Sequence, residues 1–295
     1  MELRHLRYFV VTAQTQHFTR AAELLGMAQP PLSQQIRELE REIGTPLFDR
    51  VGRGVALSDA GRAFLPCAQD ILARVAEAGD VARRAARGEV GVLRLGFTES
   101  ASFNDTVTGA ISRYQQAHPE VELRLEESQS ENLVQGLAAG DLDAAFVRPP
   151  FALSGAIRYL PLNEENLIAA LPSGHPLASQ KRLTLADLRH ERFIDYSRKS
   201  GYGLSADIIA ACRRQGFNPT LRQRAPQLSS AVNLVAAGIG VAVVPASMRH
   251  MRARGIHYLP LDLDWPRAVL GLAVRRAERA AVVDNLLRLL NITAE

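Results

Sequence analysis

Residues 18–43 read FTRAAELLGMAQPPLSQQIRELEREI. Phe18, Ala21, Ala22 and Leu25 recur at helical spacing, and Gly26 then stops the run as a C-terminal cap does. A second helical run opens near Gln29, with Pro30 and Pro31 in its first turn, where a missing N–H costs nothing. Leu32, Ile36 and Leu39 follow at i, i+4 and i+7 and must face a core. That turns Pro30, Ser33, Gln34, Arg37 and Arg41 to the opposite side. A short helix, a tight glycine-containing turn and a second helix make a helix-turn-helix. Gln can pair with adenine and Arg with guanine through two hydrogen bonds each, and Ser reaches bases or phosphates, so this face suits a major-groove reader. A merely solvated polar face on a three-helix core is the alternative that spacing alone leaves open.

Outward from this stretch, Leu3, Leu6, Phe9, Val10 and Ala13 predict an amphipathic helix over residues 3–14. On the other side, residues 44–57, GTPLFDRVGRGVAL, read as two short strands around a Gly-Arg-Gly turn. This is a wing, with Arg50 and Arg53 placed to reach phosphate or the minor groove. Ser58 then serves as an N-cap for a long helix from Asp59 to Arg87. Its Phe64, Ala68, Ile71, Val75, Ala78, Ala82 and Ala85 alternate spacings of four and three, a heptad seam suited to pairing with a second copy. Packing of that seam on the chain's own domain is the rival reading. Pro66 interrupts the backbone bonding of this helix and predicts a kink.

The stretch RHLRYFVVTAQTQHFTRAAELLGMAQPPLSQQIRELEREIGTPLFDRVGRGVALSDAGRAFL, residues 4–65, resembles the winged helix-turn-helix of LysR-type transcriptional regulators without a gap. The resemblance implies DNA contact by Gln29, Pro30, Ser33, Gln34 and Arg53. With the face and wing derived above, the candidate DNA-binding set is Gln29, Pro30, Pro31, Ser33, Gln34, Arg37, Arg50 and Arg53. One departure is Ala28, where the family usually has a serine. Losing such a cap typically costs about 1 kcal/mol, so another group should cap the helix or its start should be looser. The resemblance also implies a homodimer through the linker helix, a homotetramer, a pseudo-palindromic promoter operator and contact with RNA polymerase.

From Val90 the pattern switches to alternating strands and helices. Strands are expected at 90–97, 121–125, 142–147, 193–196, 221–224 and 241–244, with helices between them and glycine stops at Gly140 and Gly238. Ser128-Gln129-Ser130-Glu131 reads as a capping box. Strand–helix repetition argues an α/β fold with parallel sheets, whose ligands sit beyond strand C-termini at helix N-termini. Three such turns carry hydroxyls: Thr98 to Ser102, Ser128 to Ser130, and Ser197 to Gly203 with its two cations. Exposed N–H groups there suit a carboxylate, although serine is also simply a favoured N-cap.

The resemblance extends more loosely through LRLGFTESASF, LAAGDLDAAFVR and LVAAGIGVAVVPASM. It implies a two-lobed effector domain similar to periplasmic solute-binding proteins, with lobe crossings near Leu162 and Trp265. The expected organisation is a DNA-binding domain over 1–58, a linker helix over 59–87 and an effector domain over 88–295. Within the last, lobe I covers about 90–161 and 267–295, and lobe II about 162–266. The candidate effector-binding set is Thr98, Ser100, Ser130, Arg148, Tyr202, Gly203 and Leu204. Here Arg148 matches a cleft position of the branch that senses aromatic-degradation acids, so the implied effector is an aromatic or dicarboxylic acid. Glu99 is a departure, since a carboxylate at the cleft mouth would repel an anionic inducer.

Composition bounds the rest. The 295 residues are 47% hydrophobic and 22% charged, which excludes a disordered chain and allows about two domains. No apolar run suggests a membrane span, and the charged start argues against a signal peptide, so a cytoplasmic protein is expected. Two distant cysteines, Cys67 and Cys212, fit a reducing compartment and read as passive residues. The net charge of +4 says little: residues 1–60 hold seven arginines against seven acids, so any electrostatic footprint must come from placement, with Glu23 and Glu38 turned away from DNA. The seven histidines show no metal-ligand spacing, and no nucleophile elbow, phosphate loop or dinucleotide fingerprint is present, so neither catalysis nor a cofactor is expected. Overall the chain reads as α/β with an N-terminal winged helix-turn-helix, and as a ligand-controlled regulator. A solute-binding or enzymatic domain fused to a helical dimeriser, or a ligand-independent repressor, are the alternatives.

Overall fold

The structure, a computed structural model, describes residues 1–52, 54–152, 155–196, 203–278 and 280–292. It comprises two compact units, Met1–Arg84 and Ala85–Glu295.

In the first unit, helices α1 (Leu3–Thr15), α2 (Phe18–Leu24) and α3 (Gln29–Ile43) precede an antiparallel pair, β1 (Phe48–Val51) and β2 (Gly54–Leu57), and a long helix α4 (Asp59–Ala86). Leu6, Phe9, Ala21, Ala22, Leu32, Ile36, Leu39 and Leu47 close the core. The Phe9 ring packs tilted against Phe48 at 5.3 Å and Phe64 at 5.2 Å. Leu3, expected inside, is exposed, and the buried places that follow go to His5 and Leu6. The Glu40 carboxylate accepts the Leu47 and Phe48 N–H groups at 2.8 and 3.2 Å, which fastens the wing to α3. Ser58 caps α4, its Oγ accepting the Gly61 N–H at 3.0 Å and donating to the Pro46 carbonyl at 2.8 Å.

The heptad seam of α4 divides in two. Phe64 and Ala68 pack into the core of their own unit. Ile71 and Val75 are exposed, and Ala78, Ala82 and Ala85 follow on the same open face. Each rival reading of the seam therefore describes one part of it.

The second unit holds two lobes. In lobe I, β3 (Gly91–Phe97), α5 (Glu99–Ser102), α6 (Asp105–Ala117), β4 (Val121–Glu127), α7 (Ser130–Ala139), β5 (Ala144–Val147) and β6 (Ile157–Glu165) lead to the crossing. The chain passes into lobe II at Asn166, since residue 162 still lies within β6. Lobe II contains β7 (Leu167–Pro172), β8 (Arg192–Asp195), α8 (Gly203–Arg214), β9 (Thr220–Arg224), α9 (Leu228–Ala236), β10 (Ala242–Pro245) and β11 (Ile256–Pro260). The chain then returns to lobe I as β12 (Ala268–Arg275) and α10 (Ala281–Leu289).

The sheets are mixed, not parallel throughout. Lobe I has the order β4-β3-β5-β12-β6, with β3 parallel to β4 and β5 while β12 runs antiparallel to β5 and β6. Lobe II pairs β7 antiparallel with β10 and β11, and β8 parallel with β9. The returning β12 enters from the far lobe and so runs against its neighbours. Gly240, after the α9 stop, lies against the strand beside it: a Cβ there would meet the Arg192 carbonyl oxygen at 2.2 Å. The expected capping box at Ser128 does not form. Gln129 is the N-cap of α7, and Ser128 Oγ instead accepts from Asn132 Nδ2 at 3.3 Å.

A buried carboxylate fastens lobe I. Asp143 accepts the Arg94 N–H at 2.9 Å and Arg94 Nη2 at 2.7 Å, and Arg275 Nη2 at 3.2 Å. Burial pushes its carboxyl up, but the bonds from Arg94 and Arg275 outweigh burial and hold it below the usual carboxylate range. A depressed carboxyl stabilises the fold above its unfolded value near pH 3.9 and loses that contribution as pH falls through the lower folded value. Asp143→Asn should therefore cost on the order of 2 kcal/mol at pH 7, less than a fully buried pair because Arg94 is partly solvated. Urea denaturation at pH 7 and again at pH 3 checks this: the gap between the two proteins should narrow at the lower pH.

Candidate functional site

Two separate surfaces carry the nominated residues. On α3, Gln29, Pro30, Pro31, Gln34, Arg37 and Arg41 are exposed and Ser33 is half-buried, while Leu32, Ile36 and Leu39 are buried on the opposite side. Arg50 is exposed on β1. Arg53 lies outside the described residues. Gln29 Nε2 donates to Ser33 Oγ at 2.8 Å, and Gln34 Nε2 to Glu38 Oε1 at 3.4 Å. Glu38 is thus not turned away from this face: it steadies Gln34 and accepts from Gln35 Nε2 at 2.9 Å. Gln35, whose Oε1 sits 3.1 Å from His5 Nε2, belongs to the scaffold.

The start of α3 resolves the Ala28 departure. Ala28 is the N-cap and makes no side-chain cap bond. An N-cap side chain accepts from the N–H of the second or third helical residue. Those residues are Pro30 and Pro31, and neither has an N–H. A substitute cap has no donor to serve here, and a serine at this position would find none either. Ala28 and Pro31 explain each other.

The second surface is a cleft between the lobes of about 810 Å³, a volume ordinary for a small-molecule site. The parallel strands β3, β4 and β5 all end at it, delivering Thr98, Ser128 and Arg148. Thr98, Ser100, Ser130, Arg148, Gly203 and Leu204 all line it, so six of the seven nominated residues are brought together. Tyr202, and the turn from Ser197, lie outside the described residues. Ser130 Oγ donates to the Arg148 carbonyl at 2.9 Å and accepts the Arg148 N–H at 3.2 Å. Ser100 Oγ accepts from Arg148 Nε at 3.0 Å, which leaves its own proton available. Thr98 Oγ1 is buried without a partner. No side chain caps α7, whose first turn also faces the cleft.

Arg148, nominated as a contact to an acid, is already paired. Its Nη2 donates to Glu165 Oε1 and its Nη1 reaches the Val269 carbonyl at 3.4 Å. Glu165 also accepts from Asn104 Nδ2 at 3.1 Å and, across the lobes, from the Ser247 N–H at 2.7 Å. Burial pushes the Glu165 carboxyl up, but Arg148 and Ser247 outweigh it and keep it below its ordinary value. Glu99 does not project into the cleft mouth as a free charge. Its Oε2 accepts the Leu228 N–H at 2.9 Å and its Oε1 the Ser229 N–H at 3.0 Å, at the start of α9. Tyr196 was not nominated. It lines the lobe II wall, donates to the Val243 carbonyl at 3.0 Å, and is pushed far above a normal phenol by burial. Sequence offers no signal for Glu165 or Tyr196, since both act through partners remote along the chain.

Comparison with known proteins agrees with this geometry. Residues 3–62 match the bacterial regulatory helix-turn-helix of the lysR family, and residues 86–293 match the LysR substrate binding domain. The chain belongs to the LysR family of transcriptional regulators. It is 39% identical to the transcriptional regulator BudR of Raoultella terrigena, over 98% of this chain and 100% of that one. Among solved structures it is similar to the LysR family regulator CbnR, with a TM-score of 0.87 at 26% identity, covering 98% of this chain and all of that one. It is also similar to the BenM effector binding domain with its effector benzoate, with a TM-score of 0.61 at 26% identity, over 68% of this chain and 90% of that one. Among the described residues, no helix is long and apolar enough to cross a membrane.

The proline pair makes a sharp expectation. Ala28→Ser should change stability by under about 0.3 kcal/mol, against the ~1 kcal/mol of an ordinary cap. In an Ala28→Ser/Pro31→Ala background, where the donor is restored, the full capping increment should return. Thermal denaturation of the four proteins completes the cycle.

Proposed function

We propose that two copies of this chain, paired through α4, read a pseudo-palindromic promoter operator with α3 and the wing, and that a small carboxylate in the interlobe cleft controls the outcome. On this reading Gln29, Pro30, Pro31, Ser33, Gln34, Arg37, Arg50 and Arg53 contact DNA. Thr98, Ser100, Ser130, Gly203, Leu204 and Tyr202 surround the effector, and Arg148 positions Ser100 and Ser130. The observation that carries the reading is the convergence of three parallel strand ends on one cleft, where an uncapped helix start and the free hydroxyls of Thr98 and Ser100 offer donors for an anion. The benzoate bound by the BenM effector domain supports the same ligand class.

The exposed Ile71 and Val75, on one face of a 28-residue helix, support the pairing of two chains. Effector binding then changes how dimers pack in a tetramer and so how they meet RNA polymerase in the cytoplasm. On this reading the cleft binds its ligand without turning it over: among the described residues its lining holds no His or Cys, and Ser100 and Ser130 bond to Arg148 and not to a base.

Three measurements test this. Gel shifts on the DNA upstream of the protein's own gene should weaken roughly 5- to 150-fold for Gln34→Ala or Arg37→Ala, the range of a lost bidentate base contact. Ser100→Ala should weaken the thermal shift produced by benzoate while leaving DNA affinity unchanged; a loss of DNA affinity instead would reject the cleft assignment. In sedimentation velocity, Val75→Asp should move the protein toward monomer without unfolding it.

A further inference from the structure

A smaller cavity lies between the lobes, apart from the cleft. It holds about 300 Å³, at the lower end of the range for small-molecule sites, and shares no lining residue with the cleft. Lobe I lines it with Asp105 at the start of α6 and with Asn163 and Glu165 at the end of β6. Lobe II lines it with Arg249 and His250, from the short 3-10 helix after β10. Two interlobe contacts brace these walls. The Ser247 N–H donates to Glu165 Oε2 at 2.7 Å, and His250 Nδ1 lies 3.0 Å from the Phe103 carbonyl oxygen. A ligand entering here meets walls already held at a set separation, which lowers the cost of binding.

The lining defines the chemistry. Apart from Ala246, every residue of it is polar or charged, so a ring or an alkyl chain gains little there. Asn163 is held by its amide nitrogen, which donates to Thr106 Oγ1 at 2.9 Å, while its Oδ1 is buried and meets no partner among the described residues. A buried acceptor costs free energy until a donor reaches it, so this atom fits an N–H or O–H of a ligand. Asp105 and Glu165 set negative charge on the lobe I wall, and Arg249 and His250 bring cationic or ionisable nitrogen from lobe II. A molecule with a carboxylate alone faces two acids here, and one with an amine alone faces the cationic wall. A molecule carrying both groups pairs each with its opposite.

We infer that this cavity is a second ligand site and that it takes a small zwitterion, an α-amino acid, with its ammonium on Asn163 Oδ1 and Asp105 and its carboxylate on Arg249. Such a ligand touches both lobes, so it shifts their closure by its difference in affinity for the open and closed arrangements. The inference stands apart from the carboxylate reading of the cleft.

The test screens the full-length protein with the standard L-amino acids by thermal denaturation, since a ligand of the folded state raises the unfolding temperature. The strongest binder then goes to isothermal titration calorimetry beside its two one-charge analogues, the acid lacking the amino group and the amine lacking the carboxylate. At least one amino acid should bind, and each analogue should bind at least tenfold more weakly. Arg249 and Asp105 are exposed, so their replacement spares the core. Arg249→Gln and Asp105→Asn should each weaken the amino acid at least fivefold, and Ser100→Ala, in the cleft, should leave its affinity within twofold. Stabilisation by none of the amino acids overturns the proposal. So does binding that Arg249→Gln leaves intact, or binding that Ser100→Ala abolishes, which would place the ligand in the cleft. An analogue bound as tightly as the amino acid overturns the zwitterion assignment.

Discussion

The effector domain depends on how one carboxylate is satisfied. Glu165 is the last residue of β6 before the chain leaves lobe I, and it is largely buried. A charge so placed is tolerated only if it is paired and hydrogen-bonded. It is satisfied from three directions: by Arg148 at the end of β5, by Asn104 at the cap of α6, and by the Ser247 N–H in lobe II. Arg148 in turn holds Ser100 and, through its backbone, Ser130. The hydroxyls that line the cleft are thus positioned by a network whose centre is Glu165.

Glu99 is the counterpart of Glu165 in lobe I. Both are lobe I carboxylates that accept backbone N–H groups of lobe II, at α9 and at Ser247. A further interlobe contact runs from His250 Nδ1 to the Phe103 carbonyl at 3.0 Å. Closure of the lobes is therefore held in part by the protein's own anions, and a ligand can change it only through a difference in affinity for the open and closed arrangements. A cleft already fastened at these points needs a smaller ligand contribution to stay closed than one held by the ligand alone.

The DNA-binding unit shows how neighbouring departures compensate. A missing N-cap serine reads as a defect when Ala28 is considered alone. Considered with Pro31 it is neutral, because the proline removes the donor the serine would have served. The linker helix carries a comparable division of labour. One heptad pattern serves two surfaces, with Phe64 and Ala68 closing the core and Ile71 onward left for another partner.

What the sequence alone determined is local. Helix-turn-helix, wing, linker helix and the strand-to-helix turns of lobe I were all legible, because 3.6-residue periodicity, glycine stops and proline starts act within a few residues of where they are written. Strands β6, β7, β11 and β12 were not read. The short apolar runs of β7 and β12 fit strand or buried helix equally, and Pro161 breaks the alternation of β6. Tertiary structure alone decided the partners of Arg148 and Glu99 at the cleft. Arg148 looked like an anion receptor and is neutralised by Glu165. Glu99 looked like a repulsive charge and is a cap for a helix more than a hundred residues away. The physical reason is common to both: what a charged group does depends on what lies within about 3 Å of it, and here those neighbours are brought in from distant parts of the chain.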